Sequence, residues 1–136
     1  MTQQYDRFVT VPLEEVLAIV RKHLGTGRKK IREVVAGKEV KVNGVRLHTF
    51  ATKGCVCSAC GLQATHFAIE RPKFGAPNAW HLNMWGVKDC EEVLFTHDHT
   101  LARGDGGADH LDNTTTMCSP CNAAKAVLEI AARKQE

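Results

Sequence analysis

No stretch of this 136-residue chain is apolar for long enough to cross a bilayer, which takes about 20 residues. No leader-like segment opens it either, so a membrane-spanning or exported protein is not expected and the cytoplasm is. No repeat of solenoid length recurs. Charge of one sign is not in excess: 18 Lys and Arg against 15 Asp and Glu leave +3, which permits nucleic-acid binding without demanding it. A hydrophobic share of 43% argues for a folded chain, and the length for a single domain over 1–136 with a modest core. One lack is local. Residues 21–32 contain no acid but hold Arg21, Lys22, Arg28, Lys29, Lys30 and Arg32. Such a segment is either a solvated basic face or a phosphate-contacting one, with Arg28, Lys29, Lys30 and Arg32 as the candidate contacts.

Of the six cysteines, four form two Cys-x-x-Cys pairs, Cys57/Cys60 and Cys118/Cys121. In a reducing compartment a shared Cys₄ zinc is favoured over disulfides or free thiols. Gly61 fits the knuckle turn after Cys60. Cys55 lies too close to Cys57 for a knuckle ligand. Cys55 and Cys90 read as core or partly buried thiols.

The expected fold class is α+β: N-terminal helices and a β-hairpin in a lobe over 1–54, then a zinc-stapled core over 55–136. A strand is expected at Tyr5–Val9. Pro12 suits the first turn of a helix. Leu13, Val16, Leu17, Val20 and Leu24 continue it as an amphipathic stripe ended by Gly25 or Gly27. A second helix is expected over 28–36, with Ile31, Val34 and Val35 inward and Gly37 closing it. Asn43-Gly44 predicts a type I′ hairpin over 38–50, with Val42 facing Val45 and Val40 facing Leu47. Its other face would carry Lys41, Arg46 and His48, as phosphate contacts or as a solvated face. Strands are expected over 65–70, 80–85, 92–99 and 113–117, with a loop over 71–78. Trp80, Met84 and Trp85 read as core. Pro120 starts a last helix to about Lys134, with Ala124, Val127, Leu128 and Ala131 available to pack.

The chemistry concentrates near the C-terminus. Asp98-His99 is followed by Gly106-Gly107, Asn113 and Cys118-Ser-Pro-Cys121-Asn122-Ala-Ala-Lys125. Asp98 and Asn122 offer hard oxygen ligands for a Mg²⁺-like ion. His99 offers a base that is neutral near pH 7. This ordered set resembles the HNH endonucleases, the ββα-metal nucleases, across residues 94–127 plus the upstream Cys57-x-x-Cys60. Departures are Thr100 for an aliphatic residue, Ala102 for the usual Pro and Thr114 for the usual Leu. They touch packing and turn stiffness rather than chemistry. The His-x-His pattern and Cys-x-x-Cys-Asn-Ala-Ala are also similar to phage recombination endonucleases that cut branched DNA. That register would move the base to His97 and put Thr96 in place of the Asp, which loses a ligand and spoils the spacing to Gly106-Gly107.

The resemblance implies a C-terminal ββα-metal motif and a metal-dependent DNA endonuclease of a bacterial or phage-infected cell. It implies that His99 is the general base, that Asp98 and Asn122 bind a catalytic Mg²⁺ or Mn²⁺, and that Asn113 holds the loop and orients His99. Zinc would be structural. Cleavage would leave 3′-hydroxyl and 5′-phosphate ends. His97 is a second site residue or a satisfied histidine. The rival expectation is a non-catalytic zinc-knuckle module that only binds DNA. Oligomeric state is not legible.

Overall fold

The computed structural model describes residues 4–25, 29–99 and 111–134. The expected N-terminal strand forms β1, Tyr5–Pro12. Pro12 then caps α1, Leu13–Arg21, at φ −56° and ψ 142°. Val16, Leu17 and Val20 are the buried stripe of that helix. The stripe stops short of Leu24. The Lys22 and His23 N–H groups turn back onto the Ile19 and Val20 carbonyls, and Gly25 follows at φ +79°. Leu24 is left exposed. Gly27, the other expected terminator, lies outside the described residues.

Two expectations fail between residues 29 and 53, for a shared reason. The helix expected over 28–36 is instead strand β2, Arg32–Val35, paired antiparallel with β3, Lys38–Lys41. Ala36 and Gly37 make the turn at φ 48° and 92°. The apolar residues 31, 34 and 35 fit a helical period, but Ile and Val favour a strand, and Val34 points outward. The hairpin expected at Asn43-Gly44 is also absent. Gly44 sits at φ −72° and caps α2, Val45–Lys53. Asn43 is not a turn residue: its buried Oδ1 accepts the Ile31 N–H at 2.9 Å and its Nδ2 donates to the Lys29 carbonyl. Asx side chains compete for backbone in this way, and here the contact runs to another segment. Leu47 and Phe50 then share a helix face in the core, which replaces the expected pairing of Leu47 with Val40.

Strands β4 (Ala64–Pro72), β5 (His81–Lys88), β6 (Glu91–His99) and β7 (Thr114–Cys118) form an antiparallel meander, with β1 added beside β4. The β5–β6 turn uses Asp89 and Cys90 at φ 52° and 65°, so Cys90 is exposed rather than partly buried. Met84 is core, whereas Trp80 and Trp85 are half-buried. Phe67, Ile69, Leu82, Met84 and Phe95 form the core with residues of α1 and α2.

The other sheet face carries a polar network. The carboxylate of Glu70, 1% exposed, accepts from Arg7 Nε at 2.9 Å, Asn83 Nδ2 at 2.9 Å and Trp85 Nε1 at 2.8 Å. Arg7 also reaches Glu92 at 3.0 Å, and Glu92 is bonded to His66 at 2.7 Å. Helix α3, Ser119–Lys134, packs against β6 and β7. It does so with its polar side: Asn122, Lys125 and Glu129 are half-buried, while Ala124, Val127, Leu128 and Ala131 face outward. The expected apolar seam is therefore turned to solvent, because the helix is drawn to the sheet by an ion pair rather than by apolar burial.

Gly86 marks the closest approach in the sheet. A Cβ there would lie 2.9 Å from the Gln63 carbonyl oxygen and 2.9 Å from Phe95 Cε1. Neither a backbone carbonyl nor a buried ring can step aside cheaply. Gly86→Ala is expected to destabilise the fold by about 1–3 kcal/mol in urea unfolding. A change below about 0.5 kcal/mol, the usual size of a surface effect, would mean the knuckle segment yields.

Candidate functional site

Cys57 and Cys60 sit on a tight loop between α2 and β4. The Cys57 N–H bonds the Leu62 carbonyl at 2.9 Å, the Gly61 N–H bonds the Cys57 carbonyl at 2.9 Å, and Gly61 turns at φ +79°. The Ser58 N–H reaches the Thr116 carbonyl at 2.9 Å, and Thr116 Oγ1 donates to the Gly54 carbonyl, so the loop is bonded to β7. Cys118 ends β7 and Cys121 lies in the first turn of α3.

The four thiol sulfurs of Cys57, Cys60, Cys118 and Cys121 lie within 4.8 Å of one another. Cys60 Sγ and Cys118 Sγ are 3.8 Å apart. That is far beyond a disulfide bond of about 2.0 Å. It matches the edge of a tetrahedron whose metal–sulfur bonds are about 2.3 Å. Acidities support the same use. Burial pushes Cys57 up, but hydrogen bonds from the Cys118, Cys60 and Ala59 backbone outweigh it and bring that thiol down to about 6. Burial, joined by the neighbouring sulfurs, pushes Cys118 up to about 12. One thiolate is favoured and crowding disfavours the next, a conflict that a cation at the centre relieves. The donor set fits a soft metal ion, with zinc a plausible occupant. Cys55 is buried elsewhere, its sulfur 3.8 Å from the Phe50 carbonyl, and stands outside the cluster as expected.

Beside this cluster lies the second set of residues. The β6–β7 ladder is regular, with His97 opposite Thr116, Asp98 opposite Thr115 and His99 opposite Thr114. Successive strand side chains alternate between faces. The Asp98 carboxylate therefore turns to α3, where Lys125 Nζ donates to it and also to the His99 carbonyl at 2.9 Å. Asp98 in turn raises the pKa of Lys125. Asn122 precedes Lys125 by one helical turn and shares its face of α3. His97 and His99 turn the other way, their rings edge-to-face at 5.4 Å between centroids. Thr114, opposite His99, bonds Thr49 of α2 at 2.7 Å and identifies that side as the α2 face. Asn113 closes a short 3₁₀ turn, Leu111–Asn113, immediately before Thr114.

Asp98, Asn122 and the four cysteines thus gather around the start of α3, with His99 on the opposite face at the end of β6. Lys125, noted in the sequence only as a trailing motif residue, is the partner of Asp98. Gly106, Gly107, Ala102 and Arg28 lie outside the described residues. Lys29, Lys30 and Arg32 are exposed, with Arg32 at 4.0 Å from Glu39. They lie in β2 and the segment before it, not in the Asp98–Asn122 group.

Residues 87–127 match the family model described as HNH endonuclease. That segment covers the end of β5, all of β6 and β7 and the first half of α3. No curated protein and no solved structure matches the chain.

The cluster geometry has a direct chemical test. A thiol-specific dye should react at once with exposed Cys90 and slowly with buried Cys55. The other four thiols, exposed Cys60 included, should react only after a chelator is added. Prompt labelling of Cys60 in a Cys90→Ser protein before chelation would mean that the cluster holds no metal.

Proposed function

We propose that this protein, working as one domain over 1–136, is a metal-dependent DNA endonuclease that leaves 3′-hydroxyl and 5′-phosphate ends. The observation that carries the reading is the approach of Asp98 to the face of α3 that holds Asn122. Asp98 bonds Lys125, one turn after Asn122 on the same face near the start of α3, where an anionic phosphate is favoured. A Mg²⁺ or Mn²⁺ ion there supplies Lewis-acid stabilisation of the phosphate and the departing 3′ oxygen.

His99 takes the proton from the attacking water. His99 is the last residue of β6, one position after Asp98. Asn113, next to the ladder partner of His99, holds the chain that positions the imidazole. Cys57, Cys60, Cys118 and Cys121 hold one structural Zn²⁺. Four thiolates saturate a tetrahedral ion, so that site does no chemistry and fixes Asn122 relative to β6. Arg28, Lys29, Lys30 and Arg32 contact phosphates, which positions DNA without specifying sequence. No described helix is long and apolar enough to cross a membrane. Reduced thiols suit the cytoplasm.

Lys125 on Asp98 is also what the rival reading predicts, a carboxylate used structurally in a module that only binds DNA. Plasmid cleavage with Mg²⁺ or Mn²⁺, against a metal-free control, decides between them. His99→Ala should lower the rate by about 10²–10⁴ while leaving fold and DNA binding intact. Asp98→Ala and Asn122→Ala should recover part of their activity at high Mn²⁺. His97→Ala should retain much more activity than His99→Ala; the reverse order would make His97 the base.

Elemental analysis should find one zinc per chain, and replacing any one of the four cysteines by Ser should destabilise the fold, because structural zinc contributes folding free energy directly. Well-folded protein without zinc would refute that assignment.

A further inference from the structure

The hairpin expected over 38–50 does not form, yet the fold gathers Lys41 and Arg46 by another route. They line a cleft of about 340 Å³ together with His81, His97 and the first residues of α2. A water occupies about 30 Å³ of liquid, so the space admits a phosphate group. His97 carries the cleft to the edge of His99. The cleft opens on the α2 side of the sheet, away from Asp98 and α3.

Every ionisable side chain lining this cleft is cationic or a histidine. Among the described residues, no carboxylate lies within 4.0 Å of Lys41 or Arg46. A solvated basic face does not look like this. Arg46 is half-buried, held by its Nη2 bond to the Leu82 carbonyl at 2.7 Å and by the Phe50 ring at 5.8 Å. Burial lowers its pKa, and burial together with Arg46 and Arg32 lowers that of His81. Arg carries five N–H donors in a fixed fork, and one is engaged in that bond. The Lys41 ammonium lies beside Gly44, 3.9 Å from where a Cβ would stand. Gly44 provides no side-chain cap, so the first N–H groups of α2 remain as donors at the positive end of the helix. A half-buried cation with no carboxylate beside it among the described residues favours an anion at that place.

We propose that this cleft binds a non-scissile phosphate of the DNA backbone, with Arg46 and Lys41 as its charged contacts and His81 and His97 along its wall. The identity of the ligand rests on the nuclease reading; the anion site does not. Bound there, the backbone would run past His97 to His99, the last residue of β6, on the α2 face. Arg46 and Lys41 would be positioning residues.

The test is DNA binding by the full chain without added divalent ion, so that no cleavage intervenes. Lys41→Gln and Arg46→Gln should each weaken a short duplex several-fold and flatten the log–log salt dependence by about one unit. Arg46 packs against Phe50, so loss of its side chain also costs stability; Lys41 forms no ion pair among the described residues, and Lys41→Gln keeps the test valid. In imidazole NMR spectra, His81 and His97 should shift on adding duplex, whereas His66, bonded to Glu92 on the other face, should not. Unchanged salt slopes in folded variants, or shifts at His66 with none at His81 and His97, would overturn the proposal. Inorganic pyrophosphate is the second probe. Shifts at His81 and His97 with pyrophosphate, in a protein that neither binds nor cuts DNA, would uphold the anion site and refute the nuclease reading. Binding and cutting with no response from the cleft would do the reverse.

Discussion

Four sulfurs meeting at one point constrain this molecule more than any other contact. Cys60 and Cys118 are 58 residues apart in sequence and 3.8 Å apart in space. Closing such a loop is entropically expensive, and the expense grows only slowly with length. The return on it is position. The knuckle is bonded to β7 through Ser58 and Thr116, and α3 begins at the cluster itself. The end of β6, the 3₁₀ turn and the start of α3 are thereby held together, although α3 buries little apolar surface of its own.

Strand alternation then sorts the chemistry. On a regular ladder, neighbouring residues cannot share a face, so Asp98 and His99 are assigned to opposite sides by the backbone alone. Asp98 meets a helix with polar residues turned inward. His99 joins His97 over a face where Lys41, Arg46 and His81 supply positive charge. At this end of the sheet the ladder becomes a partition, with the Asp98 carboxylate on one side and the His97 and His99 imidazoles on the other.

The motif residues were legible because their order and spacing carry chemistry. Cys57, Cys60, Cys118 and Cys121 come together as their pairing implied, and Asp98 meets the Asn122 face of α3. Strands close to the expected pieces at 65–70, 80–85, 92–99 and 113–117 form, but their order as a meander was not legible. Residues 28–50 were not legible either. Ile31, Val34 and Val35 fit a helical period as well as a strand. Asn43-Gly44 has the composition of a tight turn, while the real turns fall on Ala36-Gly37 and Asp89-Cys90, where Ala36 and Cys90 give no local sign of their positive φ. The side chain of Asn43 bonds a segment more than ten residues away, and no window-sized pattern records that. The exposure of Val127 and Leu128 was hidden for a related reason: which face of α3 turns inward is decided by Asp98, a residue on another element.

The buried carboxylate of Glu70 has a consequence for how the sheet assembles. Its three donors come from β1 and β5, the two strands that flank β4. They reach it only when all three strands are in the native register. Sliding β1 or β5 by one residue sends those donors to the far side of the sheet and strands a charge in the protein interior. Glu70 therefore works as a proofreading device during folding, penalising near-miss pairings far more than it rewards the correct one.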